Sequence, residues 1–393
     1  MSTSLRPSDA NQLRDMVGFL VGRKSTTEII GAGTKRAIGR PTNAEYLLDL
    51  SSLAGIREYE PNELVMTCGA GTPLWVIENA LADANQQLAF EPVDYGPLLG
   101  GPERRGTIGG VLAGNLSGPR RFKAGAARDH FLGVSAVSGR GEIFKAGGKV
   151  VKNVTGYDMC KLIAGSWGTL AIMDEVTVKV LPAPEETVTL ILHGQDVAKA
   201  VEAMTAALQS PHEISGAAHL PATGETLLRV EGFPNSVRAR ADATRQLMSA
   251  FSGEIDELDK EASAARWAAI RDVSILSEDQ ASPVWRISLP PASAPAVWQA
   301  LAGTVGTEGL IDWGGGLIWL AAKADLPDGG AQAIRAILAQ NQQGHATLIR
   351  GTAGLRSSIP VFQPTPKGVA ALQNRIKENF DPHGVLNKGR LEF

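Results

Sequence analysis

From Gly101 to Pro182, glycine recurs among hydroxyl-bearing residues at spacings that break helices and let a backbone lie against a large ligand. Thr107-Ile108-Gly109-Gly110, Ser117-Gly118 and Gly168-Thr169 are the densest groups, and Lys152-Asn153-Val154-Thr155-Gly156-Tyr157-Asp158 adds a polar turn. Main-chain N–H groups together with the hydroxyls of Thr107, Ser117, Thr155 and Thr169 suit something anionic and extended, and a dinucleotide pyrophosphate meets that description. The same glycines also suit tight turns in a β-rich domain, and their density alone does not choose.

A second stretch, GAGTKRAIG from Gly31 to Gly39, follows the short strand expected at Glu28-Ile29-Ile30. A nicotinamide fingerprint would need glycine where Arg36 stands and a helix where Pro41 follows. The stretch therefore reads as a phosphate-cradling loop and not as a Rossmann turn.

These loops need a frame. An opening helix, capped by Ser8, places Leu13, Val17, Leu20 and Val21 on one face. Leu47–Leu50 and Leu64–Cys68 read as strands separated by the turn Glu60-Pro61-Asn62. Thr72-Pro73 starts a helix with Leu74, Ile77 and Leu81 inward, and Asp158 is placed to cap the helix that follows it. Beyond Pro182-Ala183-Pro184 glycine thins, and strands and helices run β-α-β-β-α-β twice, from Thr187 and again from Val284, which predicts two ferredoxin-like halves. A last helix from Thr365-Pro366 puts Val369, Leu372, Ile376 and Phe380 on one face and stops at Asp381-Pro382.

A chain of 393 residues exceeds one ordinary core, and its 44% hydrophobic content is that of a water-soluble globular enzyme. A net charge of −3 without a basic stripe argues against nucleic acid. Cys68 and Cys160 are the only cysteines, read as buried hydrophobes in a reducing, cytoplasmic compartment. The N-terminus lacks a secretory pattern and no apolar run reaches span length, so membrane association would have to come through partners. The six histidines never fall at ligand spacing, so no metal is expected.

The order of these motifs resembles the FAD-binding flavoproteins of the vanillyl-alcohol oxidase / p-cresol methylhydroxylase type, and within them the smaller flavin subunits of bacterial glycolate oxidase complexes. The resemblance is strong from Glu28 to Pro182 and returns in the tail FDPHGVLNKGRL from Phe380, where Lys388 replaces the family's usual proline. It implies an α+β chain: a two-lobed FAD-binding domain over 1–183 (lobes about 1–95 and 96–183), a cap over 184–363, and a C-terminal helix and tail over 364–393 docking on the FAD domain.

By the same resemblance, Gly31, Ala32, Gly33, Thr34 and Lys35 wrap the pyrophosphate. Thr34 stands about where relatives with covalent flavin carry histidine, which implies non-covalent FAD. Thr107, Ile108, Gly109 and Gly110 contact the cofactor, joined by the Ser117 hydroxyl. Gly168, Thr169, Leu170 and Ile172 complete the surface, and Asn387 adds a tail contact or serves a turn. Arg128-Asp129 fixes a loop near the flavin ring or forms a surface ion pair, the latter worth little.

No catalytic residue transfers. The His-rich H-x-G-D-G-N-x-H motif of the related catalytic subunits and D-2-hydroxy-acid dehydrogenases is missing. Arg286 and Arg350 are the cap residues suited to a carboxylate substrate, though an arginine on an alternating strand also serves packing or an ion pair. Three readings follow. In the first, the chain is the FAD-binding subunit of a glycolate oxidase complex, working with a larger flavin subunit, an iron–sulfur subunit and a small 2-hydroxy acid. The second is a self-sufficient FAD oxidoreductase, and the third a non-catalytic assembly subunit. No cysteine cluster could ligate iron–sulfur, so onward electron transfer needs a partner.

Overall fold

The structure, a computed structural model, describes residues 3–148, 157–340 and 344–391. Three short parallel strands, β1 (Thr3–Leu5), β2 (Thr27–Ile30) and β3 (Tyr46–Asp49), lie in the order β1-β3-β2. The helix α1 (Ala10–Arg23) is packed with them by Leu13, Val17 and Leu20, which its helical spacing brings to one buried face. Its cap is Asp9, not Ser8, because the Asp9 carboxylate accepts from the Asn11 and Gln12 N–H groups.

The second sheet is antiparallel. Its strands β4 (Ile56–Glu60) and β5 (Val65–Gly69) come before α2 (Leu74–Ala82), and β7 (Phe131–Ser138), β8 (Ile143–Gly147) and β9 (Ala171–Lys179) come after it, in the order β4-β5-β9-β7-β8. Thus β4 and β5, expected in the first lobe, belong to the second sheet. There β5 is buried along its whole length between β4 and β9. Between α2 and β7 run β6 (Gln86–Gln87), α3 (Ile108–Gly114), α4 (Arg121–Ala124) and α5 (Ala127–His130). After β8, α6 (Met159–Ile163) begins where Asp158 accepts from the Lys161 N–H, and β10 (Leu181–Pro182) pairs back to β6. Lys152 to Gly156 of the expected polar turn lie outside the described residues, and Tyr157 is almost fully exposed.

The cap is one eight-stranded sheet. Its first half runs β11 (Glu186–Leu192), α7 (Val197–Gln209), β12 (Gly216–Leu220), β13 (Glu225–Gly232), α8 (Pro234–Met248) and β14 (Ile255–Leu258). After α9 (Lys260–Arg271), the second half repeats the pattern with β15 (Val284–Ser288), α10 (Ala294–Thr304), β16 (Gly306–Asp312), β17 (Leu317–Ala322), α11 (Ala331–Gln340) and β18 (His345–Arg350). The order β14-β11-β13-β12-β16-β17-β15-β18 is two ferredoxin-like halves meeting edge to edge, with His219 opposite Ile311. Strand alternation sets the layers: Ile318, Leu320 and Ala322 face the helices, while Leu317, Trp319 and Ala321 face the FAD-domain core.

A buried ionic square crosses between cap and FAD domain. Arg229 donates to Glu91 at 2.9 and 3.2 Å, and Arg120 pairs with both Glu91 and Glu231. The two guanidiniums hold both carboxyls below the ordinary range against the effect of burial, Glu231 down to about 2. After α12 (Ala353–Ser358), α13 (Lys367–Phe380) leads into the tail, with Val369 and Leu372 of its apolar face half-exposed. Among the described residues, no helix is long and apolar enough to cross a membrane.

Candidate cofactor site

The loop after β2 bends away from the sheet, and Gly33 takes a left-handed φ of 75° there, a conformation glycine adopts without strain. The N–H groups of Gly31, Ala32, Gly33, Thr34 and Lys35 have no hydrogen-bond partner among the described residues. Five consecutive unpaired donors make a concave anion cradle. The Lys35 ammonium keeps part of its surface in the cleft, yet the atoms crowding it strip enough water to lower its pKa to about 8. Among the described residues its hydrogen bond is to the Thr34 hydroxyl, at 3.3 Å. A cation crowded in this way beside unpaired N–H groups suits a phosphate.

Across the cleft, α3 sits against β5 so closely that a side chain on Gly109 would lie 2.7 Å from the Ala70 carbonyl oxygen. The Ile108 and Gly109 N–H groups donate to Thr72 and Ala70 carbonyls, and Gly110 N–H donates to the Thr107 hydroxyl at 3.3 Å. The start of α3 is thus a wall already tied to its neighbours, and the free donors belong to the 31–35 loop. Gly31 approaches Thr107 so tightly that a Cβ would fall 2.5 Å from its Oγ1, which closes the cleft at that corner.

The third wall is the turn before β9, where Trp167 and Gly168 both take positive φ. Asn387 ties it to the first lobe: its Oδ1 accepts from the Ile29 N–H at 2.9 Å and its Nδ2 donates to the Trp167 carbonyl at 2.7 Å. The tail is held in turn by Asp381, which accepts from the Val385 and Leu386 N–H groups, and by Lys377, which donates to the Thr169 and Leu386 carbonyls and to Asp381. Arg390 donates to the Ile38 carbonyl and to Glu28, which also accepts from Arg36.

The resulting cleft has about 100 Å³ of accessible space. Of the residues expected from sequence, Gly31, Ala32, Gly33, Thr34, Lys35, Thr107, Gly109, Gly110, Gly168, Ile172 and Asn387 line it. Ile108 is fully buried in the core and supports the wall from behind. The Thr169 hydroxyl donates to the Ser166 carbonyl and closes its own turn. Ser117 accepts from the Ala127 N–H, fixing the start of α5.

Arg128 and Asp129 are exposed, and Asp129 is engaged in accepting from the Ala126 N–H. Arg350 lies elsewhere: its guanidinium donates to the carbonyls of Ser282, Leu98, Leu276 and Asp279, so it staples loops and has little left for a carboxylate. Arg286 is half-buried on the cap face turned to the FAD domain, apart from this cleft. Sequence reasoning missed Ile29, Leu50, Ala113, Trp167, Met173 and Arg390, all of which line the cleft. The first five are apolar residues inside strands, helices or turns, with no chemical signature to mark them, whereas Arg390 stood in the tail motif and could have been named.

Two lobes closing on an anion cradle, with a double ferredoxin-like sheet packed on the second lobe, define a dinucleotide-binding flavoprotein. Residues 2–147 match the family model described as an FAD binding domain. The chain is 35% identical to glycolate oxidase subunit GlcE of Escherichia coli (strain K12), over 98% of this chain and 99% of that one. It is 32% identical to glycolate oxidase subunit GlcD of Bacillus subtilis (strain 168), over 53% of this chain and 44% of that one. Among solved structures, an alkyldihydroxyacetonephosphate synthase superposes with a TM-score of 0.70 at 14% identity, covering 98% of this chain and 75% of that one, a likeness of fold. The chain belongs to the p-cresol methylhydroxylase-type family of FAD-dependent oxidoreductases, in the branch of glycolate oxidase subunit GlcE.

Proposed function

We propose that this chain is the smaller FAD-binding subunit of a glycolate-oxidising complex, holding FAD without a covalent bond and exchanging electrons with a larger flavin subunit and an iron–sulfur subunit. Similarity to GlcE along the whole chain carries this reading. The cleft supports it, because the unpaired donors of residues 31–35 and the Lys35 ammonium fit a pyrophosphate. When bound, FAD would supply the capacity to take up a hydride or electron pair and release single electrons. The chain's own part is to anchor the phosphates at the 31–35 loop, to shape the cleft with Thr107, Gly109, Gly110 and Ile172, and to close it with Asn387. Thr34, where a covalent attachment would need a nucleophile such as histidine, supports reversible binding.

Oxidation of a 2-hydroxy acid needs a base for the hydroxyl proton and an anchor for the carboxylate, both within hydrogen-bonding reach of the substrate. The sequence lacks the His-rich motif that supplies these in related catalytic subunits. The expected outcome is that the purified chain is yellow and releases all its FAD on acid precipitation, that glycolate does not bleach it anaerobically, and that glycolate does reduce the complex with its larger flavin and iron–sulfur partners. Rapid bleaching of the isolated chain would favour a self-sufficient oxidoreductase. Colourless protein that cannot be reconstituted with FAD would favour an assembly subunit.

A further inference from the structure

Arginines 120 and 121 are neighbours in sequence with opposite fates. Arg120 is locked between Glu91 and Glu231. The Arg121 guanidinium makes no ion pair or hydrogen bond with any described residue; it lies against the indole of Trp313, with Cζ 4.5 Å from the ring centroid. Arg286 approaches the same indole from the cap, at 5.0 Å, and among the described residues it too has neither carboxylate nor carbonyl partner. All three side chains are only partly exposed. Other enclosed arginines differ: the guanidiniums of Arg229, Arg350 and Arg390 each donate to carboxylates or carbonyls.

Two cations brought together repel, and the nearby acids, Asp129 for Arg121 and Asp312 for Arg286, form no ion pair or hydrogen bond with either guanidinium among the described residues. A guanidinium resting on an indole gains only about 0.5–2 kcal/mol, less than the several kcal/mol that a partly dehydrated, unpaired charge costs. The tension shows in both groups. Burial, and then the charges of Arg286 and Arg128, hold the Arg121 guanidinium below its ordinary value with Asp129 opposing, and burial does the same to Arg286, with Tyr95 and Asp312 opposing. His345, two residues from the Arg286 partner Thr347 on β18, is exposed at its edge yet held below its ordinary value by the protein mass beside it and then by both arginines, which places its imidazole in the same field.

The parts are held firmly. Trp313 donates its indole N–H to the Gly118 carbonyl at 3.1 Å, pinning the cap to the loop that carries Arg121, and Asp312 accepts from the Trp313 N–H at 2.7 Å. Arg286 stands opposite Trp319 on β17, which packs edge-on to Tyr95 of the FAD domain. The pair therefore sits on the seam between the two domains, with rigid elements on both sides.

We propose that Arg121 and Arg286, held against Trp313, form a binding site for a small carboxylate anion at the cap–FAD-domain seam. This deepens the reading above, on which it rests, by giving this subunit its own 2-hydroxy-acid-binding site, distinct from the dinucleotide cleft and without the base needed for oxidation. Planar guanidinium forks match a carboxylate in two-point geometry.

Calorimetric titration of the FAD-loaded chain with glycolate, with acetate and inorganic phosphate as parallel arms, tests this. Glycolate is expected to bind one to one, and Arg121→Ala and Arg286→Ala each to weaken it at least tenfold. Arg286→Lys, which keeps charge and bulk but loses the fork, is expected to fall between, and it carries the test if an alanine variant fails to fold. Arg238→Ala, at an exposed arginine of α8 paired with Glu257, should bind as the parent does. Trp313→Phe should remove the fluorescence change on binding. Absence of glycolate binding, parent-like affinity in both alanine variants, or phosphate binding more tightly than the carboxylates would overturn the proposal. Flavin absorbance read on every sample keeps this separate from the cofactor reading: loss of FAD speaks against that one, and loss of carboxylate binding alone against this one.

Discussion

Lys35 is the residue whose chemistry depends most on its surroundings. With its pKa lowered to about 8, it is charged at neutral pH and loses that charge in mild alkali. A bound pyrophosphate favours the protonated ammonium, so the bound pKa lies above the free one. FAD affinity is therefore full below about pH 8 and falls as pH rises through it, by up to about tenfold per pH unit. Titrating the apo-protein with FAD from about pH 7 to about pH 9.5, a range that brackets this pKa, should show the fall, and Lys35→Met should bind more weakly at neutral pH with a flatter profile. Lys35 was legible in sequence as part of a glycine loop, but its depressed pKa was not, since crowding is a property of the packed cleft. Arg128 and Arg350 mark the opposite failure, where a plausible residue type was found and its partners could not be seen: Asp129 serves its own helix end, and Arg350 is consumed by four carbonyls.

At the scale of elements, α3 shows how glycine serves packing and binding together. Gly109 lets the helix lie against Ala70, so Gly109→Val should destabilise the protein by about 1–3 kcal/mol even without FAD, and lose flavin because Thr107 and Gly110 move with the helix. Thermal melts of apo and loaded protein would check this; an unchanged apo melting temperature would mean that the wall yields easily. Gly18 in α1 is the contrast, with nothing within 4 Å of the place a Cβ would take, and Gly18→Ala should add about 0.5–1 kcal/mol without altering flavin content. The double β-α-β-β-α-β pattern was readable because alternation and helical spacing are local. The membership of β4 and β5 was not, because it is fixed by β9, whose residues pair with β5 from far along the chain, Val65 with Lys179 and Gly69 with Glu175.

Across the whole molecule, cap and FAD domain are joined by the square of Glu91, Arg120, Arg229 and Glu231. Arg229→Met leaves Glu91 buried with one partner fewer and should cost about 3–5 kcal/mol, while adding Glu91→Gln should recover part of it; equal melting temperatures for the single and double variants would show no coupling. The lowered carboxyl values set the pH sense. The square's contribution is complete above the ordinary glutamate range and drains away as pH falls toward the folded value of about 2 for Glu231.

The stitch made by Asn387 also bears on how the protein is born. Ile29 and Asn387 are separated by 358 positions, yet one side chain binds the strand before the phosphate loop to the turn that walls the cleft. At ordinary elongation rates the first half of that stitch waits roughly 20–70 s for the second. The nascent chain can form its sheets early, but the cleft acquires its closing clasp only when the tail leaves the ribosome. The last fastening of the cleft is thereby deferred to the end of synthesis, and a chain cut short before the tail would have both lobes, joined by the apolar cluster of Leu13, Leu48, Val137 and Ile172, without the clasp that closes them.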